Sequence, residues 1–117
     1  MIVVATSGEN RCHYCVVAHG AILRAMSKRP LLADQLANNY RKADIDARER
    51  AMLDFAVKVS QKAQEIGPAD FDALEAAGFS EESARDIANV AAFFAMSNRL
   101  ANVTALRPND EFYTFAR

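Results

Sequence analysis

Apolar positions recur along most of this chain with a helical period, and residues that break helices are rare. The pattern is clearest over 46–66. Ile45, Met52, Phe55, Val59 and Ile66 are spaced by seven, three, four and seven, which forms one stripe of a helix. Asp44 or Asp46 stands where a cap belongs, and Gly67-Pro68 stops the pattern. Upstream, a short apolar segment over 1–7 runs into Ser7-Gly8-Glu9-Asn10, which reads as a turn. A helix over about 11–27 comes next, with Asn10 as its expected N-cap. Pro30 suits the first turn of a short helix through Ala37, ended by Asn38-Asn39. Phe71 to Ala77 predicts another short helix, closed by Gly78. Ser80-Glu81-Glu82 then opens a long one over about 81–105, with a hydroxyl cap and carboxylates at the positive end of the dipole.

That last helix is apolar on two sides. Ile87, Val90, Phe94 and Ala101 share one, while Phe93, Met96, Leu100 and Val103 share another. So wide an apolar surface marks either a central helix or a subunit contact, and periodicity alone does not separate the two. Beyond Pro108 the tail carries Phe112, Tyr113 and Phe115, which are expected to pack on their own chain or on a neighbour.

Four glycines and three prolines in 117 residues, with many alanines, make the expected fold class all-α in a single domain over 1–117. Composition adds exclusions. Apolar residues at 51% and charged residues at 25% are ordinary for a globular protein and argue against disorder. Fourteen basic and fifteen acidic residues leave a net charge of −1, with no electrostatic footprint for nucleic acid or an anionic membrane. No apolar run reaches the roughly 18 residues of a transmembrane span. The start lacks the basic region and apolar core of a signal peptide. Two cysteines are too few for a secreted disulfide scaffold, so a cytoplasmic location is expected.

Both cysteines and both histidines fall within Cys12-His13-Tyr14-Cys15-Val16-Val17-Ala18-His19. Cys12, Cys15 and His19 stand at i, i+3 and i+7, so on a helix they share a face. Cysteines three apart have Cα atoms about 5–6 Å apart, a separation that a disulfide tolerates. A helix N-terminus favours thiolate, and His19, one turn beyond Cys15, is placed to take the Cys15 proton directly or through a water. That position favours Cys15 as the attacking thiolate and Cys12 as its resolving partner, whereas the dipole alone would favour Cys12. A zinc site would need His13 as well, yet His13 faces about 100° away from Cys12 on a helix. A thioredoxin-like site would need strands, and the chain predicts none.

The run Asn10-Arg11-Cys12-His13-Tyr14-Cys15-Val16-Val17-Ala18-His19-Gly20 resembles the core of the AhpD-like superfamily, which holds alkylhydroperoxidase and carboxymuconolactone decarboxylase relatives. Phe93-Phe94-Ala95-Met96-Ser97-Asn98-Arg99-Leu100-Ala101, followed by Pro108 and Asp110-Glu111, is similar to the peroxidase-related branch. The resemblance implies an AhpD-like helical bundle that forms homo-oligomers through apolar helix faces. It implies peroxide as substrate, reduced at the two cysteines, and a dithiol reductant such as a lipoylated protein, with no metal or organic cofactor. By motif match Cys15 is the peroxidatic cysteine, Cys12 resolves and His19 belongs to the proton relay. The family's relay carboxylate lies twelve residues before the first cysteine, a position ahead of Met1; Glu9 is the nearest acid and reads as a solvated turn residue. Tyr14 replaces a histidine of the alkylhydroperoxidase proper, and His13 reads as a surface or subunit-contact imidazole. Asn98 and Arg99 read as a polar pair that bonds neighbours or a carboxylate such as Asp86 or Glu111.

The expected function is therefore a thiol-dependent peroxidase. Two alternatives keep the same residues: a thiol–disulfide oxidoreductase without peroxidase activity, and a non-catalytic helical oligomer that senses redox state or binds metal.

Overall fold

The most apolar stretch, at the N-terminus, lies at the centre of the molecule. In the computed structural model, which describes residues 1–117, it forms helix α1 (Ile2–Glu9) and packs against four other helices. Val4, Ala5, Thr6 and Ser7 are all buried. The Thr6 hydroxyl is satisfied within the helix, donating to the Ile2 carbonyl at 2.9 Å. The turn expected at Ser7-Gly8-Glu9-Asn10 is absent, because α1 runs through Glu9 and Asn10 ends it. Gly8 serves contact rather than a bend: a Cβ there would lie 2.5 Å from the Ala37 carbonyl oxygen. A larger residue would force α1 away from α3 (Leu32–Asn39).

Local signals set most other boundaries. Helix α2 (His13–Ser27) comes after a link in which Arg11 is left-handed, with φ 53°, and Lys28 closes it in the same region. Its N-cap is Cys12, not Asn10 as expected, since the Cys12 sulfur accepts from the Cys15 amide. After α3, Asn39 caps a 3-10 turn over Tyr40–Lys42. Helix α4 (Ala47–Lys62) starts at a reciprocal box: Asp46 accepts from the Glu49 amide at 2.7 Å, and Glu49 accepts from the Asp46 amide at 3.1 Å. That decides between Asp44 and Asp46. A 3-10 turn over Ala63–Glu65 then relaxes the chain before Gly67.

Helix α5 (Pro68–Ala76) begins three residues ahead of the expected Phe71, because Pro68 starts the helix as well as ending the preceding segment. Gly78, at φ 87°, turns the chain into α6 (Glu81–Val103), which Ser80 caps by accepting from the Ser83 amide at 3.0 Å. A last short helix, α7 (Glu111–Thr114), returns the tail to α2.

Two apolar clusters hold these elements together. One gathers Val4, Leu32, Leu36, Tyr40, Leu53 and Val57; the other gathers Phe55, Ala56, Leu74, Ala84, Ile87 and Ala91. Helix α6 contributes a face of small residues, so α1 occupies the centre and α6 flanks it. Its second apolar side stays uncovered: Phe93 is 58% exposed and Val103 is 83% exposed. No helix is long and apolar enough to cross a membrane.

Candidate active site

The break between α1 and α2 sets the geometry of the two thiols. The Cys12 amide donates to the Ser7 carbonyl at 2.9 Å, which ties the start of the motif to α1. Cys12 then adopts extended backbone, so its side chain turns back over the first turn of α2 and its sulfur accepts from the Cys15 amide at 3.3 Å. Cys12 and Cys15 are free thiols, 0% and 1% exposed, and they form a small cluster with Ala101 of α6 against which Tyr14 packs.

Burial decides the acidity of Cys12. Desolvation pushes its thiol up to about 11, and the neighbouring Cys15 thiol adds to the rise. The Cys15 backbone amide and the Asn98 side chain favour the thiolate and oppose it. The sequence-based expectation that the helix start would lower this thiol is thus overturned at Cys12. A cap position supplies one amide at 3.3 Å, while the surrounding core removes the water that would stabilise the anion.

His19 sits one turn along α2 from Cys15. Its Nδ1 is 3.0 Å from the Cys15 carbonyl oxygen. A carbonyl only accepts, so Nδ1 carries the proton and Nε2 is the free basic nitrogen. The imidazole is therefore anchored to the Cys15 backbone. Its ring meets Phe94 edge-on at 5.0 Å. His19 also borders a cavity of about 320 Å³, walled mainly by Tyr14, Ala18, Ile22, Phe112 and Phe115. A larger hollow of about 530 Å³ lies between α5 and α6 near Phe71 and Phe79, away from the thiols.

The other residues singled out in the sequence are placed apart from the sulfurs. His13 is exposed, with Nε2 2.6 Å from the Tyr113 hydroxyl. Glu9 is not a free turn residue; it pairs with Arg41 at 2.8 Å. Arg99 donates to the Ala95 carbonyl at 2.7 Å and meets neither Asp86 nor Glu111. No three His, Cys, Asp or Glu side chains are gathered as a metal-binding group.

Asn98 is the residue whose place the sequence conceals. It is fully buried on α6, one turn before Ala101. Its Nδ2 donates to Ser7 Oγ at 2.9 Å, and its Oδ1 accepts from Asn10 Nδ2 at 3.0 Å. Asn10 also donates to Ser60 Oγ of α4 at 2.8 Å. This polar chain lies beside the thiols and joins α1, α4 and α6. Its one signal in the sequence is an amide in the middle of an otherwise apolar helix face.

Comparison with known proteins bears on the fold as a whole. No family model matches the chain, and no curated protein does. Solved structures do. An uncharacterized peroxidase-related protein from Ralstonia eutropha JMP134, described as an alkylhydroperoxidase AhpD core, is similar over 99% of this chain, at 60% identity and a TM-score of 0.97. An uncharacterized peroxidase-related protein from Silicibacter sp. TM1040 is similar over 99% of the chain, at 47% identity and a TM-score of 0.96. The chain spans 61% of the length of each.

Proposed function

This chain belongs to the AhpD-like superfamily, in its peroxidase-related branch, and on that footing we propose that it reduces peroxides at the Cys12–Cys15 pair. The observation that carries the reading is the contact of the Cys15 amide with the Cys12 sulfur, which holds the two thiols together at one helix start.

In the proposed cycle the Cys15 thiolate attacks the distal peroxide oxygen and the O–O bond breaks. Cys15 becomes a sulfenic acid, and the alkoxide leaves and takes up a proton. His19 receives the Cys15 proton at Nε2 and supplies one to the leaving oxygen, through water where the ring does not reach. Cys12 then attacks the sulfenic sulfur and expels water, forming the disulfide. An external dithiol reduces that disulfide by exchange and leaves as a disulfide itself.

Burial of both sulfurs favours a small oxidant over the disulfide of a folded protein, which supports this reading over a general thiol–disulfide oxidoreductase. The apolar cavity beside His19 suits the organic tail of a hydroperoxide. A slender dithiol on a flexible arm, such as a lipoyl group, fits the same restricted entry. The uncovered stripe of Phe93, Met96, Leu100 and Val103 supports self-association, and a chain with two cysteines, too few for a secreted disulfide scaffold, fits a reducing compartment such as the cytoplasm.

Peroxide titration tests the proposal. The parent should lose two thiols per peroxide and gain an intramolecular disulfide. Cys15→Ser should consume none, and Cys12→Ser should accumulate a sulfenic acid that a dimedone probe captures. Consumption at the parent rate by both variants overturns the reading.

A further inference from the structure

The cycle needs Cys12 as a thiolate twice, when it resolves the sulfenic acid and when it leaves during reduction. Yet Cys12 has no exposed surface. A buried sulfur anion must be met by N–H donors. The Cys15 amide is one, at 3.3 Å.

Asn98 is placed to be the second. Its orientation is fixed at both ends, since Oδ1 accepts from Asn10 and Nδ2 donates to Ser7 Oγ. An amide nitrogen carries two hydrogens, and Ser7 takes only one. Ser7 is also the residue whose carbonyl holds the Cys12 amide, at 2.9 Å. One turn further along the same face of α6, Ala101 packs in one buried cluster with both cysteines. Through Ser7 and the Ala101 turn, the Asn98 amide is thus brought beside the buried thiol cluster, where an N–H donor favours a thiolate.

We propose that Asn98 is a working member of the dithiol site, donating its second N–H to the Cys12 sulfur and so sustaining Cys12 as nucleophile and as leaving group. This rests on the reading of Cys12 and Cys15 as a redox pair, but not on peroxide being the oxidant. Asn10, Ser7 and Ser60 act one step back, as positioning residues that keep the amide from rotating.

The test uses a small aromatic disulfide reagent (DTNB) in place of peroxide. Cys15 attacks it and releases one coloured thiolate; Cys12 then closes the intramolecular disulfide and releases the second. Asn98→Asp is the informative variant. Its carboxylate still accepts from Asn10, and the Ser7 hydroxyl can turn to donate to it, but the donor to sulfur is gone. At pH 8 the second release should slow at least tenfold, while the first stays within threefold of the parent. Val57→Ala, a core truncation in a cluster that holds neither cysteine, should lower the melting temperature and leave the second release within threefold. Closure in Asn98→Asp at the parent rate overturns the proposal, as does equal slowing of both releases. A parent that closes its disulfide with this reagent but ignores peroxide would defeat the peroxidase reading and leave the role of Asn98 standing.

Discussion

Arg24 on α2 donates to the Phe112 carbonyl at 2.7 Å, and the same guanidinium donates to the Phe115 carbonyl at 3.0 Å. Both oxygens belong to the returning tail, so one buried cation on the helix of the motif holds α7 and the residues after it. Phe112 and Phe115 are thereby kept as a wall of the cavity beside His19. At the far end, Arg117 pairs with Asp34 at 2.7 Å and adds a weaker, exposed tie.

Removing the clamp should release the tail. Arg24→Met keeps most of the apolar stem but none of the donors, so two charge-assisted hydrogen bonds disappear. A loss of roughly 3–6 kcal/mol is expected in urea denaturation, since each hydrogen bond to a charged group contributes about 1.5–3 kcal/mol. Amide exchange should accelerate selectively over residues 111–117. Uniform exchange rates across the chain in this variant would show that Arg24 is not what secures the tail.

Gly8 offers a sharper test of packing. An alanine there gains helix propensity of about 1 kcal/mol. Its Cβ, however, would sit 2.5 Å from the Ala37 oxygen, a contact with backbone that no side-chain rotation relieves. Overpacking of this kind costs roughly 1–3 kcal/mol beyond any gain. Gly8→Ala should therefore lower the melting temperature, whereas Gly67→Ala, which meets nothing within 4 Å, should not be limited by packing. A Gly8→Ala protein as stable as the parent would remove close approach as the reason for this glycine.

These residues also separate what is legible in the sequence from what is not. Asp46 with Glu49 and Ser80 with Ser83 can be read directly, because a cap and the amide it accepts from lie three residues apart. Gly8 reads as a turn because its actual reason lies on α3, at Ala37. Asn10 suits the cap of α2 by residue type, but the Cys12 sulfur holds that place and Asn10 turns toward Ser60 and Asn98. Asn98 looks peripheral because Ser7 is 91 positions away in the chain and Asn10 is 88. The thiol pair and His19 are legible as a motif, whereas desolvation of Cys12 depends on Ala101 and Tyr14 closing over it, which no local pattern encodes.

His19 should act on proton transfer more than on folding. Its Nδ1 bond to the Cys15 carbonyl leaves Nε2 for chemistry. His19→Gln keeps a polar side chain of similar reach without a base. If Nε2 serves as general base and acid, peroxide consumption should fall roughly 100-fold or more, within the usual range for such groups. The melting temperature should shift by only a few degrees, and the Cys12–Cys15 disulfide should still form with DTNB. Peroxide consumption by His19→Gln within threefold of the parent would exclude a relay through this ring.

Cys12 also predicts how the reduced protein responds to alkali. In the unfolded chain a thiol loses its proton near pH 8.5, but burial holds the folded Cys12 thiol protonated up to about 11. Between those values the folded state binds more protons than the unfolded one, so stability falls as pH rises. The contribution is fully present below about pH 8.5 and is lost on the way to pH 11, a change of roughly 3 kcal/mol. Tyr40, whose ionisation burial and Asp54 also push upward, adds an alkaline loss of its own, which persists in a Cys12 variant. The comparison is therefore reduced parent against Cys12→Ser, each denatured with urea at pH 8, 9.5 and 10.5. The parent should lose stability faster than the variant across that series. Parallel curves for the reduced parent and the variant would mean that the folded site does not hold this proton.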